Sequence, residues 1–466
     1  MPLGRPHKYS VSRALFAFWL FYLVHAAALA ASPIGEVIYA DGLANAQRSG
    51  EAARFLTKGD ALHEGDVIST GSRGFAIIGF HDQTKIALRP NTVFAVDRFS
   101  HNAKEELGLF RLIKGGMRAI TGLIGKRNPQ GMRVQAATAT IGIRGTSFDA
   151  RICEADCAQE APSTRKETAP SPQLIVARVV LMSGTASVVG RDGQARTAVV
   201  GTPLFDGETV RTENESYAVL AFRDQSKVTV IANSEFRLED VRFSGPRSDT
   251  GNFAVRIVRG GARILTGLLA KREPKTVRVN MITAVIGIRG TGFDNRFELD
   301  CVEGACSEAA FTYTWEGAIA MEVGDRSLVV EVDRAGVFNP ARNELRLLDK
   351  VPEFFLTEPA PRPDTVQVDF ENLFGTVTLI GFPPGVYAGV IEGHIEFLGP
   401  EGLVNLGPGE AAILADGRVI PVRLDRYPSF MLNDTVPRPE NFDERRVRPL
   451  DFLNPGGDAG SVICEI

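Results

Sequence analysis

In the stretch KIALRPNTVFAVD (Lys85–Asp97) the apolar residues Ile86, Leu88, Phe94 and Val96 fall on alternate positions. A period of two places them on one face of a pleated chain, so the stretch predicts half-buried strands. Arg89-Pro90-Asn91 supplies the turn between them. The pattern returns 142 positions later, where Val228, Val230, Phe236 and Leu238 are again apolar. The intervening Ala87, Ala95 and Asp97 become Thr229, Arg237 and Glu239, so one face is kept and the other is expected to be free. Upstream, GFHDQTK and AFRDQSK predict hairpin turns starting at Asp82 and Asp224, because Asp bonds to its own backbone two residues on.

The recurrence has the size of a domain. LFRLIKGGMRAITGLIGKR (Leu109–Arg127) matches AVRIVRGGARILTGLLAKR (Ala254–Arg272). The hexapeptide IGIRGT occurs at Ile141–Thr146 and at Ile286–Thr291, each time followed by Phe-Asp and a cysteine pair. A third, partial similarity links TYTWEGAIAMEV (Thr312–Val323) with YAGVIEGHIEFL (Tyr387–Leu398), with Glu-Gly at the turn in both. The first copy lacks this closing hairpin and runs into a polar, Pro-rich segment instead. The stretch Val337–Pro363 carries the pattern of one short helix, and the chain from Pro437 on is charged and rich in Pro and Gly.

Composition agrees with short strands. The 47 Gly and 26 Pro in 466 residues favour turns over long helices, and the length predicts two or three domains. A formal net charge of −4 excludes a nucleic-acid binder by charge alone. At the N-terminus, Arg5, Lys8 and Arg13 precede the apolar run Ala14–Ala30, which ends in Ala28-Leu29-Ala30. A basic start, a short apolar middle and a small-x-small end describe a secretory signal peptide cut after Ala30. Kept uncut, the same run would be a membrane anchor, though it is short for one. Export makes Cys153/Cys157 and Cys301/Cys306 candidates for local disulfides rather than a metal site, since no His lies near either pair. Cys464 has no evident partner.

The order of motifs resembles the FecR domain family. GDVISTGSRGFAIIGFHDQTK, LIKGG and the Arg-Gly-Thr close carry the resemblance, through Gly65, Asp66, Ile68, Thr70, Gly71, Phe80, Asp82, Gly115, Arg144, Gly145 and Thr146. The second copy keeps Gly207, Thr212, Phe222, Asp224, Arg289, Gly290 and Thr291, and has Glu208 in place of the Asp. The resemblance implies all-β domains of the bacterial envelope, here read as tandem β-sandwich or β-solenoid-like units of short strands with little helix. The expected organisation is a signal peptide (1–30), a first unit (31–160), a linker (161–173), a second unit with its closing hairpin (174–337), a connector (338–365), a C-terminal β-module (366–436) and a tail (437–466). The family's name-giving members are membrane-anchored anti-sigma regulators of iron uptake. About 13 residues before the apolar run leave no room for a cytoplasmic sigma-binding domain. The expectation is therefore an exported, non-enzymatic binding, sensing or scaffolding protein, periplasmic or secreted.

The residues themselves carry no catalytic constellation. Thr146 and Thr291 have no His within reach along the chain, and His63, His81, His101 and His394 form no metal-ligand pair and are read as surface or turn residues. No catalytic, cofactor or metal residues are expected, and no cofactor. Arg144 and Arg289 are expected to be structural, with Asp149 and Asp294 as partners. The segments Arg111–Arg151 and Arg256–Arg296 are strongly basic in an acidic protein. Lys126, Arg127, Lys271 and Arg272 are candidate anion-binding residues on them, for an anionic glycan or an acidic envelope protein. The alternative is a set of solvated strand faces paired with acids elsewhere.

Overall fold

The computed structural model describes residues 32–102, 104–154, 156–157, 174–243, 251–281, 284–288, 291–302, 304–432, 436–439 and 442. The segments expected as a signal peptide (1–30) and a linker (161–173), with Arg289, Gly290, Cys464 and most of the expected tail 437–466, lie outside the described residues.

The protein is all-β, built from two units of the same topology. Each unit has a front and a back sheet whose inner faces share one apolar core. In the first unit the front sheet runs Ala61–Leu62, Gly35–Asp41, Phe75–Phe80, Lys85–Leu88, Gly116–Ile120. The back sheet runs Arg54–Phe55, Ala44–Gln47, Val67–Thr70, Val93–His101, Glu106–Lys114, Met132–Ala136. The strand Ala139–Cys153 belongs to both. Residues 139–142 pair with Met132–Ala136 in the back sheet, and residues 147–151 pair with Gly116–Ile120 in the front sheet. The hexapeptide sits where the strand changes sheets. The register breaks between Arg144 and Ser147, and Gly145 has φ +61° there, a conformation that costs glycine little. In the second unit the same strand is split into Ala284–Ile288 and Gly292–Val302.

The closing hairpin reaches the two units by different routes. In the second unit, Gly292–Val302 turns directly into Ala305–Glu316, and Ala284–Ile288 pairs with Ala318–Val323. In the first unit, the neighbour of Ala139–Cys153 is Gly385–Leu398, in register from Thr140↔Leu398 to Cys153↔Gly385. Leu403–Leu406, Ala411–Ala415 and Val422–Arg423 complete the two sheets. The hairpin missing from the first copy is thus supplied from near the other end of the chain, and the second unit is inserted between the two parts of the first. Val386, Ala388, Val390, Ile395, Phe397, Val404, Leu406, Ala412 and Leu414 all belong to the first unit's core. The segment expected as a C-terminal module therefore gives its strands to the first unit's sheets.

The alternation read from the sequence holds inward. Ile86, Leu88, Phe94 and Val96 lie in the first core, and Val228, Val230, Phe236 and Leu238 in the second. Outward it fails at Ala95, which is buried, and at the aligned pair Ala87 and Thr229. Ala87 and Thr229, expected on a free face, are fully buried. Each is covered by a strap of chain laid across the outside of its front sheet, as described below.

Candidate functional site: buried arginines beneath two straps

The described family-motif residues make turns and hydrogen bonds within the fold. Gly65 and Gly207 each have φ +84° at the turn before a strand. Asp66 accepts from Arg54 (3.0 Å) and from the His63 N–H (2.9 Å). Glu208 does the same for Arg196 (2.8 Å) and the Phe205 N–H (2.9 Å), so the replacement of Asp by Glu keeps the arrangement. The Thr146 N–H donates to Thr121 Oγ1 (2.8 Å) and the Thr291 N–H to Thr266 Oγ1 (2.9 Å), tying the sheet change to the short helices Leu123–Arg127 and Leu268–Arg272. The Asp82 and Asp224 turns form as expected. Each carboxylate accepts from the N–H two residues on, at 2.9 and 3.0 Å. Each carbonyl accepts the first helical N–H, from Leu123 (2.7 Å) or Leu268 (2.6 Å). A side chain at Gly122 or Gly267 would collide with those carbonyls.

Arg144 is ion-paired within the fold, but its partner is not the expected Asp149. Its guanidinium donates to Glu396 Oε1 at 2.6 Å, across the ladder to the distant closing strand. Asp149 lies beyond the change of sheet and faces a different set of groups. The strand turns between the two residues, which spacing along the chain did not reveal.

Those groups form a buried polar arrangement that recurs on the second unit. Arg118 and Asp149 are cross-strand neighbours, almost fully buried, with Arg118 Nε 3.4 Å from Asp149 Oδ1. Arg118 donates to two carbonyls of the C-terminal segment, Met431 O and Val436 O, both at 2.7 Å. Arg438 closes a fork on Asp149, with both contacts 3.1 Å, and the Tyr427 hydroxyl adds a third donor at 3.2 Å. Burial and the Asp149 charge push the Tyr427 phenol well above its ordinary value, so it stays a donor. Val436 is buried against Phe75, Ile77 and Ala87.

The second unit repeats the plan. Arg263 pairs with Asp294 at 3.1 Å and donates to Ala360 O at 2.7 Å. Thr229 donates to Pro361 O (2.8 Å) and Lys227 to Val366 O (2.7 Å). Trp315 Nε1 donates to Asp294 (2.9 Å), and Arg362 stacks 4.5 Å over the Trp315 ring. Burial raises the Asp294 carboxyl, an effect that Arg263 and Trp315 oppose. The two straps share a sequence signature that the duplication did not bring to notice: Ala360-Pro361-Arg362-Pro363-Asp364 and Val436-Pro437-Arg438-Pro439-Glu440.

A second cluster joins the units. Arg178 of the second unit, fully buried, donates to Glu410 of the first unit's closing segment and to Gly201 O at 3.2 Å. Arg423 lies 3.3 Å from the same carboxylate. Burial lowers Arg423 to about 10 and also lowers Arg223, which stacks 4.9 Å over Phe374. Burial alone would raise Glu410, but Arg178 and Arg423 outweigh it and hold the carboxyl below its usual range. His394 stands beside this cluster. It is 5% exposed, not the surface histidine the sequence suggested, because it lies on the inner closing strand opposite Arg144. Its Nε2 is 3.0 Å from Asn405 Oδ1.

Burial lowers the His394 imidazole to about 3, so it is neutral in the fold and titrates near 6.5 when unfolded. As pH falls from about 6.5 towards 3, the unfolded chain takes up a proton that the folded chain refuses. Stability should therefore fall on acidification, by up to about 1.4 kcal/mol per pH unit from this group. Urea midpoints measured from pH 6.5 to pH 4 should show this slope, and His394→Gln should flatten it. An unchanged slope in the variant would remove His394 as its source.

The basic strands are mostly paired within the fold. Arg111 meets Asp97, Arg151 meets Asp156, Arg256 meets Glu239 and Arg296 meets Glu298 and Glu358. Lys126, Arg127, Lys271 and Arg272 end the two short helices and are exposed, with Arg127 3.6 Å from Glu106. Exposed Lys275 and Arg278 extend the second group. Cys153–Cys157 and Cys301–Cys306 are disulfides, the first buried and the second across the turn that begins the closing hairpin. Among the described residues no cluster of His, Cys, Asp or Glu could hold a metal ion, and no helix is long and apolar enough to cross a membrane.

The family described as FecR protein matches residues 66–161 and 208–307. No curated protein matches the chain. Two crystal structures titled as a "putative anti-sigma factor" from Parabacteroides distasonis are similar over part of it. Each has 12% identity and covers 32% of this chain, with TM-scores of 0.24 and 0.25. The matched region spans 62% of that protein.

Proposed function

The chain carries two FecR-like domains in tandem, and from this premise we propose that it is a non-enzymatic binding or sensing module of the bacterial envelope, periplasmic or secreted. The observation that carries the reading is the double family match, with a disulfide at the end of each matched core. Local disulfides suit an oxidising compartment. The buried ionisable groups fit the same view. Arg118–Asp149, Arg263–Asp294 and the Glu410 cluster hold chain segments together.

The test is to recover the protein from its bacterial host and sequence its N-terminus. A start at Ala31, with Cys153, Cys157, Cys301 and Cys306 unreactive to maleimide before reduction, is the expected result. A membrane-bound chain that retains residues 1–30 would replace this reading with that of an anchored signalling regulator.

The exposed Lys271, Arg272, Lys275 and Arg278 favour an anionic glycan or acidic envelope protein as a partner. Retention on heparin should weaken as salt rises, and Lys271→Glu with Arg272→Glu should lower the eluting salt concentration. Retention indifferent to salt would discard the anionic partner.

A further inference from the structure

We propose that the outer face of the first unit's front sheet, centred on Arg118 and Asp149, is a binding site for an extended peptide of the form aliphatic-Pro-Arg-Pro carried by another envelope protein. Residues 436–439 of this chain are its resident occupant. The proposal names the partner class of the envelope module and rests on that reading.

The site recognises an extended strand-like ligand in the terms that proline-rich peptides allow. Proline fixes φ and pushes the preceding residue out of the helical region, so an x-Pro-Arg-Pro segment is pre-shaped before it binds. Arg362, at the equivalent position of the second strap, has φ −65° and ψ 138°, the polyproline conformation. Such a segment keeps its carbonyls free to accept, and Arg118 is aimed at one of them, Val436 O, while its other terminal nitrogen donates to Met431 O in the short helix Ser429–Leu432 before the strap. An aliphatic side chain fills the apolar patch of Phe75, Ile77 and Ala87. The arginine is then read by a fork on Asp149, with both oxygens engaged at 3.1 Å. Lysine cannot reproduce that planar, two-pronged contact.

Comparison of the two straps shows why the first unit holds the receptor. In the second unit, Asp294 is taken by Arg263 and the Trp315 indole, and Arg362 turns to Asp364 at 2.7 Å and to the Trp315 face. Thr229 and Lys227 add bonds to that strap's backbone. In the first unit the position of Thr229 is Ala87, and Asp149 gives both oxygens to the strap's arginine. Asp149 is also held by Arg118 and Tyr427, so the first site adds to the backbone contact from Arg118 a reading of the ligand's arginine side chain that the second lacks, which is what selection among peptides requires. A tethered strap has a high effective concentration, so the wild-type site is already filled and an outside peptide must compete.

The experiment uses the full chain and a fluorescent peptide with the sequence of residues 434–442. By anisotropy, the Arg438→Ala chain should bind the peptide at least tenfold more tightly than the wild-type chain does. The Val436→Ala chain keeps the Arg438 fork but loses the strap's apolar anchor, so its strap competes less well, and it answers the question if Arg438→Ala does not fold. Arg438→Lys within the peptide should weaken binding at least tenfold, and Asp149→Asn added to the opened chain should abolish it. A folded, opened chain that takes up no peptide, or takes up the lysine peptide equally well, overturns the proposal. So does a wild-type dimer that the peptide converts to monomer, since the occupant would then be a second copy's strap. None of these results depends on the compartment, so failure here removes the peptide site and leaves the N-terminal sequencing test to decide the envelope reading separately.

Discussion

Deletion of residues 376–466 is expected to unfold the first unit while the second stays folded. The deletion removes the whole partner of Ala139–Cys153 and opens that strand's edge along its full length. It also takes Val386, Val390, Ile395, Phe397, Val404, Leu406 and Leu414 out of the first core. Burial of each such side chain is worth about 1.5–3 kcal/mol. Together they are on the order of the entire stability of a domain, about 5–15 kcal/mol. The second unit keeps both sheets, its own closing hairpin and its strap, because the cut falls after the helix Phe370–Phe374. Limited proteolysis with mass spectrometry should find residues near 174–375 protected and residues 32–153 digested. Survival of the first segment as a protected fragment would show that its sheets close without the C-terminal strands.

Glu410→Ala is the point substitution with the largest expected effect. Three guanidiniums, those of Arg178, Arg223 and Arg423, converge on this carboxylate, and two of them pair with it directly. Without it, Arg178 stays fully buried with its charge uncompensated, and breaking a buried pair from one side costs about 3–5 kcal/mol. Arg178 and Glu410 belong to different units, so the loss should also loosen the junction. Gly201 and Gly407 mark how close that junction is, since a side chain at either would strike Asn405 or Ile175 and Pro203 of the other unit. Chemical denaturation should show a lower midpoint, and cleavage sites near residues 199–205 and 403–410 should become accessible. The companion substitution Glu410→Gln keeps hydrogen bonds but not charge, and should fall between the two. A variant as stable as the wild type would mean that the arginines are compensated elsewhere.

Much of this was legible in the residues. Alternation at Ile86, Leu88, Phe94 and Val96, repeated at Val228, Val230, Phe236 and Leu238, fixed both strand type and buried face. The pairing of both cysteine doublets and the turns at Asp82 and Asp224 could also be read, because the forces involved act over a few residues. The insertion of one unit within the other could not. Its signals were present, in the closing hairpin missing from the first copy and the likeness of Thr312–Val323 to Tyr387–Leu398, but a β-ladder leaves no mark of which distant strand it joins. Arg144 was assigned to Asp149 for the same reason, whereas its partner Glu396 lies on that distant strand. The straps have no such signal, because their Pro-Arg-Pro signatures do not follow the spacing of the main duplication. The burial of Ala87 and Thr229 has no sequence signal apart from them.

The route of the closing strand also sets an order of events in time. As the chain is made, the second unit has all its strands in hand well before Gly385–Leu398 exists. The first-made unit must therefore be the last to finish, waiting with the edge of Ala139–Cys153 unpaired. Pairing across so long a stretch of sequence is slow, and an open edge invites association with other chains. The nested arrangement thus makes the last strands complete the first unit, and any prematurely ended chain would leave that edge open.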